Sequence, residues 1–221
     1  MIFLTETLHN NQILDERVLR ELLKFKFNGL LVRIQRDAYW ERIVPEGSYH
    51  FIPCIPEEAL AGVFILRKYY YEISYKVLGR YKFSPRTFID LGCGPGQIMY
   101  LMDIFFNLTT YGIEFSPLCV EAGKKAGIEN ITQGDFFDNL ELVKGKDIIY
   151  TYMPMYKRDN MEKLQKLVFE VMDVGAIWIE MLPSYGDGKA IHIKTEKEIL
   201  AFSGEKDLKK YCVGKNASNK E

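Results

Sequence analysis

Thr87-Phe88-Ile89-Asp90-Leu91-Gly92-Cys93-Gly94-Pro95-Gly96-Gln97-Ile98-Met99 is the stretch from which the fold can be read. It predicts a short buried strand, a tight glycine turn and the first turn of a helix. Phe88, Ile89 and Leu91 supply the apolar run of a parallel strand covered on both faces. Gly92, Gly94 and Gly96 let the backbone turn sharply and approach a ligand with no Cβ in the way. A helix from Gln97 would aim its free backbone N–H groups and its positive dipole end at that ligand. A glycine triplet alone is a weak signal, because turns collect glycine for many reasons. Here Asp90 stands two residues before the first glycine, and the spacing is G-x-G-x-G rather than G-x-G-x-x-G.

With those features the segment resembles motif I of the class I S-adenosylmethionine-dependent methyltransferases, close to D-x-G-x-G-x-G. Asp90, Gly92, Gly94 and Gly96 match it, and Cys93 and Pro95 occupy variable positions. The resemblance implies an α/β fold, doubly wound about a mostly parallel, Rossmann-like sheet. It also implies S-adenosyl-L-methionine as cofactor, with Asp90 near its methionine end and the loop of Gly92, Cys93, Gly94 and Gly96 packed against it.

The order of acids along the chain extends the pattern. Residues 97–106 form a strongly apolar helix, and residues 110–114 a second strand ending in Glu114, about twenty residues past the glycine turn. At that distance a carboxylate can accept hydrogen bonds from both ribose hydroxyls of an adenosine. Ser116 and Pro117 open the next helix as N-cap and first helical residue. A third strand from residue 130 leads into Gly134-Asp135-Phe136. By resemblance, Glu114 and its neighbour Phe115 fall at the ribose, Asp135 at the adenine amino group, and Phe136 along the ring. Five strand–helix units are expected between residues 87 and 180.

The fourth strand lies within residues 146–156 and ends at the ligand crevice. In the resembling family this exit loop faces the transferable methyl group. Period-two alternation puts Tyr150 and Tyr152 on one face and Thr151 on the other. Both tyrosines are candidate catalytic residues, and Tyr150 is also a candidate cofactor contact. Methyltransferases of that family acting on base amines commonly carry Asn/Asp-Pro-Pro-aromatic here. Thr151-Tyr152-Met153-Pro154 lacks the Asn/Asp and the first proline, which disfavours a nucleobase amine as acceptor. A helix capped by Asp159, a fifth strand over 175–180, a sixth over 190–193 and a short seventh over 211–213 complete the expected domain.

Before the motifs, residues 15–26 have helical spacing of Val18, Leu19, Leu22 and Leu23, and Pro56-Glu57-Glu58 starts a helix running to Gly79. Its Arg67, Lys68, Tyr69, Tyr70, Tyr71, Tyr75 and Lys76 suit an ordinary amphipathic face better than a nucleic-acid surface. Residues 1–55 are read as a mainly helical N-terminal extension that could bind substrate, 56–213 as the methyltransferase domain, and 214–221 as a disordered polar tail.

Composition narrows the class further. In 221 residues, 29 basic and 30 acidic side chains nearly cancel, so net charge indicates no polyanion partner, although nucleic acid stays open as one. No apolar run suffices to span a bilayer, and the start lacks a signal-peptide pattern, so a cytoplasmic protein with no membrane partner is expected. Cys54, Cys93, Cys119 and Cys212, like His9, His50 and His192, are scattered, and no metal site is expected. The expected activity is methyl transfer to an unidentified acceptor: a protein side chain, an RNA or a small molecule. A non-catalytic adenosylmethionine-binding scaffold is the alternative. A NAD-dependent oxidoreductase is a weaker one, since Gln97 stands where its motif needs glycine or alanine.

Overall fold

The computed structural model describes residues 16–27, 29–30, 60, 63, 73, 85–152, 157–181, 189–203 and 205–214. The expectations for the exit loop at 153–156, for the tail beyond 214 and for most of 31–84 lie outside the described residues.

Seven strands form one sheet in the order β3-β2-β1-β4-β5-β6-β7. β1 (Thr87–Leu91) lies at its centre, with β2 (Thr109–Glu114) on one side and β4 (Ile148–Tyr152) on the other. β3 (Ile131–Gln133) extends the sheet beyond β2, and β5 (Ile177–Met181) extends it beyond β4. All four of these pairings are parallel. β6 (Lys189–Lys194) and β7 (Ile199–Phe202) then add an antiparallel meander. The sheet is therefore doubly wound and Rossmann-like, with its topological switch between β1 and β4, the place at which open α/β sheets bind ligands beyond the carboxyl ends of their strands.

Helices cover both faces. Alternation along β1 sends Phe88 to one face, with α1 (Glu16–Phe27) and α2 (Gln97–Phe106), and sends Ile89 and Leu91 to the other. Leu19, Leu23 and Phe27 of α1 share the first core with Met99 and Met102, and Phe27 meets Tyr100 edge-on at 6.5 Å. A helix within the expected extension thus belongs to the core of the sheet domain. α3 (Pro117–Lys125) adds Val120 to this side, while Leu164 and Val168 of α4 (Arg158–Val171) fill the other.

Local chemistry sets the ends. α2 leaves Gly96 in a left-handed conformation (φ 84°) and stops at Asn107, also left-handed (φ 55°), where asparagine is tolerated. Ser116 caps α3 by accepting from the Cys119 N–H, with Pro117 at the first position. α4 begins one residue earlier than its expected cap, so Asp159 sits inside the first turn, where its charge still faces the dipole. Its other end is closed by Lys194 of β6, whose Nζ donates to the carbonyls of Phe169 (2.7 Å), Glu170 (3.3 Å) and Met172 (2.6 Å). At the amino ends of β1 and β4, Asp147 Oδ2 accepts from the Arg86 and Thr87 amides and the Thr87 hydroxyl.

Two expectations are corrected. Residues 211–213 are not a strand; they lie in α5 (Glu205–Gly214), where Leu208 and Tyr211, three apart, turn to the core and Tyr211 meets Phe202 at 5.2 Å. The seventh strand is instead Ile199–Phe202, folded back on β6 by a turn in which Thr195 Oγ1 accepts from the Lys197 and Glu198 amides. Nor are there five strand–helix units. Between β3 and β4 the chain makes only two short 3-10 helices, Phe136–Asp138 and Leu140–Val143. Asp135, Asn139 and Gly145 interrupt this span too often for a full α-helix to form.

One polar network is buried beneath α4. Gln165 Nε2 donates to Glu180 Oε2 (3.0 Å), His192 Nε2 lies 3.2 Å from the same oxygen, and Trp178 Nε1 donates to Thr151 Oγ1 (3.2 Å). The His192 ring lies tilted against Trp178 at 5.1 Å and edge-on to Phe169 at 5.2 Å, and Phe169 and Trp178 also meet edge-on at 5.5 Å.

Candidate functional site

The glycine turn is built against the neighbouring strand. Both the Gly92 and Cys93 amides donate to the Ile113 carbonyl, at 2.9 and 3.1 Å, which folds the loop over the carboxyl end of β2. Gly92, Gly94 and Gly96 all have positive φ (85°, 55° and 84°), a conformation that other residues reach only with strain. A Cβ on Gly112, below the loop, would come within 2.5 Å of the Cys93 sulfur and 2.6 Å of the Met99 sulfur. The Cys93 thiol therefore occupies the space that a missing side chain leaves on β2.

Asp90 and Glu114 lie on one face of adjacent strands. Asp90 pairs with Gly112 on β2 and Tyr150 on β4, and Glu114 follows Gly112 by two. Asp90 is 3% exposed, and its Oδ1 is buried with no hydrogen-bond partner among the described residues. Burial, and secondarily the Glu114 carboxylate, raises its carboxyl well above the ordinary range. Glu114 is fastened at both oxygens: Oε2 accepts from the Gly94 amide (2.8 Å) and Oε1 from the Ser116 amide (2.7 Å). Desolvation raises its carboxyl, and the Ser116, Gly94 and Phe115 amides pull it back down. Each bonded oxygen keeps a second lone pair, so two adjacent acceptors remain.

The Cys93 side chain is buried against Gly112, and its thiol donates to the Gly94 carbonyl (3.4 Å). Burial raises its thiol well above the usual value, helped by the charges of Asp90, Glu114 and Cys119, so it stays neutral. Phe115, half-buried, continues from Glu114. The Gly134 amide donates to the Glu114 carbonyl (2.9 Å), which brings the β3 exit beside β2. There Asp135 Oδ1 accepts from the Phe137 amide (2.9 Å), and Asn139 Nδ2 donates to the Asp135 carbonyl (2.7 Å). Phe136 is half-buried, its ring 5.0 Å from that of Phe137.

On β4 the two tyrosines separate. Tyr150 is fully buried in the core, packed on Phe88 at 5.8 Å and paired in register with Asp90. Tyr152, on the same face at the strand's end, is half-buried. Thr151 faces the opposite core, engaged by Trp178. Sequence reasoning missed the Ser116 amide, which gives Glu114 its second anchor, and Asn139, which braces Asp135. Ser116 had been legible only as a helix cap. Asn139 carried no signal.

The class that fold and site define is a Rossmann-like α/β protein with a strand-end acid beside a glycine loop at the topological switch. No family model and no curated protein matches the chain. Solved structures similar to it are S-adenosylmethionine-dependent methyltransferases in many cases. They include the mitomycin 7-O-methyltransferase MmcR, at 21% identity over 54% of this chain and 38% of that one, with a TM-score of 0.39. The plantazolicin methyltransferase BpumL, in complex with a pentazolic desmethylPZN analog and SAH, is 19% identical over 76% and 60%, with a TM-score of 0.46. An RNA methyltransferase from Salinibacter ruber, in complex with S-adenosyl-L-homocysteine, is 18% identical over 63% and 86%, with a TM-score of 0.40. The chain spans less than two thirds of the first two. The functional reading of this chain rests on the residues of its site and not on these likenesses.

The residues present fit S-adenosylmethionine. Glu114 offers paired acceptors for ribose hydroxyls, and Gly92, Gly94 and Gly96 put no Cβ in the way of close approach at their positions. The unpartnered Asp90 oxygen suits the cationic end of such a ligand. Among the described residues no group of three or more His, Cys, Asp or Glu could hold a metal, and no helix is long and apolar enough to cross a membrane.

Proposed function

We propose that the chain binds S-adenosylmethionine at this site and transfers its methyl group to an acceptor. The observation that carries this is Asp90: a buried carboxylate with an unpartnered oxygen, set under a glycine loop and beside a second carboxylate. The pyrophosphate of a nicotinamide dinucleotide would face two acidic side chains there, whereas a sulfonium or an ammonium can draw them into their charged form. When bound, the cofactor supplies an electrophilic methyl carbon.

The protein's own residues then have limited tasks. Glu114 and the glycine loop hold the adenosine, Asp90 the cationic end, and Asp135 and Phe136 the adenine. Alignment and exclusion of water account for most of the acceleration of such a displacement, so no covalent residue is required. Tyr150 packs in the core, and Tyr152 is the candidate that meets the acceptor. We assign the catalytic domain to residues 56–213, with α1 packed on it from the preceding segment. The acceptor class is a protein side chain, an RNA or a small molecule.

Calorimetric titration with S-adenosylmethionine and with NAD tests the binding, and transfer of labelled methyl into a substrate pool tests the chemistry. Binding of NAD without S-adenosylmethionine would sink the proposal. Binding of S-adenosylmethionine with no transfer to protein, RNA or small-molecule pools would favour the scaffold reading.

A further inference from the structure

Asp90 and Glu114 form a pair of carboxylates whose second member is already committed to the loop. Glu114 gives one lone pair of each oxygen to the Gly94 and Ser116 amides, two bonds that favour its charged form while burial works against it. Asp90 has no such support at Oδ1. The groups that face it are the Glu114 carboxylate from β2, the Cys93 thiol from the loop, with Cys119 of α3 behind it, and the Tyr150 phenol from β4. Among these described groups there is no cation. An isolated carboxylate in that setting keeps its proton, because ionisation would place a second negative charge beside Glu114 in a poorly hydrated space.

We propose that the Asp90–Glu114 pair is a proton-linked specificity element: a ligand that brings a positive charge under the glycine loop expels one proton from the pair. The inference rests on the adenosylmethionine reading of the site and adds a charge rule to it. A ligand with a cationic end replaces the proton as the partner of Asp90, whereas a neutral or anionic end cannot. Exchange balances in charge, since one positive charge enters as one proton leaves. Affinity must then rise with pH, because deprotonation precedes or accompanies binding. By linkage, one proton released per ligand corresponds to about tenfold in affinity per pH unit. The burial that raises the Asp90 carboxyl supports the direction, since the unliganded pair holds its proton into a range where a solvated aspartate would not.

Calorimetry on the full chain tests this, with S-adenosylmethionine titrated between about pH 5 and 7, below the ordinary titration of an α-ammonium. Two buffers of very different ionisation enthalpy at each pH give the number of protons released. The expected result is release of roughly one proton per ligand at the acidic end, falling as pH rises, with affinity increasing by up to about tenfold per unit. Asp90→Asn should bind more weakly, release no proton and show a flat profile, while still folding, since the neutral amide has the shape of the protonated carboxyl it replaces. Binding of S-adenosylmethionine by the wild-type chain with no proton exchange in either buffer overturns the inference and leaves the adenosylmethionine site standing. Failure to bind at any pH overturns both.

Discussion

Glu114→Gln separates two roles that the structure gives to one side chain. The carboxylate accepts from the Gly94 amide at 2.8 Å and from the Ser116 amide at 2.7 Å. Glutamine has one acceptor oxygen and one NH2 donor, so it can satisfy only one of these amides and presents a donor to the other. One charge-assisted bond is lost outright, for about 1.5–3 kcal/mol. A smaller opposing term enters, because the neutral amide escapes the desolvation that raises the Glu114 carboxyl. Folding stability should therefore fall by less than the full bond, by up to about 2 kcal/mol or several degrees in Tm. Affinity has no such offset. The variant keeps only one of the two acceptors offered to ribose hydroxyls and slackens the loop that must close on the adenosine. The expected increase in the S-adenosylmethionine Kd is about 10- to 100-fold, at 1.4 kcal/mol per decade. Calorimetry for Kd and a thermal melt for stability, on the same preparation, check both. An unchanged Kd in a variant that melts normally would refute the reasoning and reduce Glu114 to a loop brace.

Asp90→Asn should stabilise the unliganded protein at neutral pH. A carboxyl raised in the folded state costs stability as pH climbs from its ordinary value through its raised one, so the gain should grow as pH rises above the ordinary carboxylate range and vanish near about pH 3. Melts across that range read it, and a variant less stable than wild type at neutral pH would contradict the assigned burial cost. Lys194→Met should lower stability by about 1–2 kcal/mol, since three carbonyls at the end of α4 lose their donor. Denaturant titration should show the lower midpoint with an unchanged slope. Gly112→Ala should cost about 1–3 kcal/mol, because its Cβ would press on the buried sulfurs of Cys93 and Met99, and S-adenosylmethionine affinity should fall with it as the loop shifts. Tyr152→Ala should slow methyl transfer at least tenfold with near-normal cofactor Kd if Tyr152 aligns the acceptor. A large loss of Tm, with Tyr152→Phe equal to wild type in turnover, would make it a packing residue instead.

Much of this protein is written locally, and the rest depends on what meets what. β1, the glycine turn and α2 could be read from residues 87–106 alone, because an apolar run, left-handed glycines and a helix start are properties of consecutive residues. The positions of Glu114 and Asp135 at strand ends were likewise legible from spacing, since a parallel strand–helix unit has a nearly constant length. The seventh strand was not: Ile199–Phe202 exists as a strand because β6 offers it an edge, and Tyr211 is helical because Leu208 and Tyr211 both find the core. Only the tertiary structure decided the state of the site. Asp90 looks like any strand aspartate until Gly112, Tyr150 and the loop close around it and leave one oxygen without a partner. Glu114 reads as a free acceptor until the loop, folding back over β2, brings the Gly94 amide to one oxygen, while the turn into α3 brings the Ser116 amide to the other. The Gln165–Glu180–His192 network similarly joins α4, β5 and β6, which meet only in the folded chain. Sequence specifies which groups can ionise or donate; the dielectric and the partners that determine whether they do are supplied by distant segments on folding.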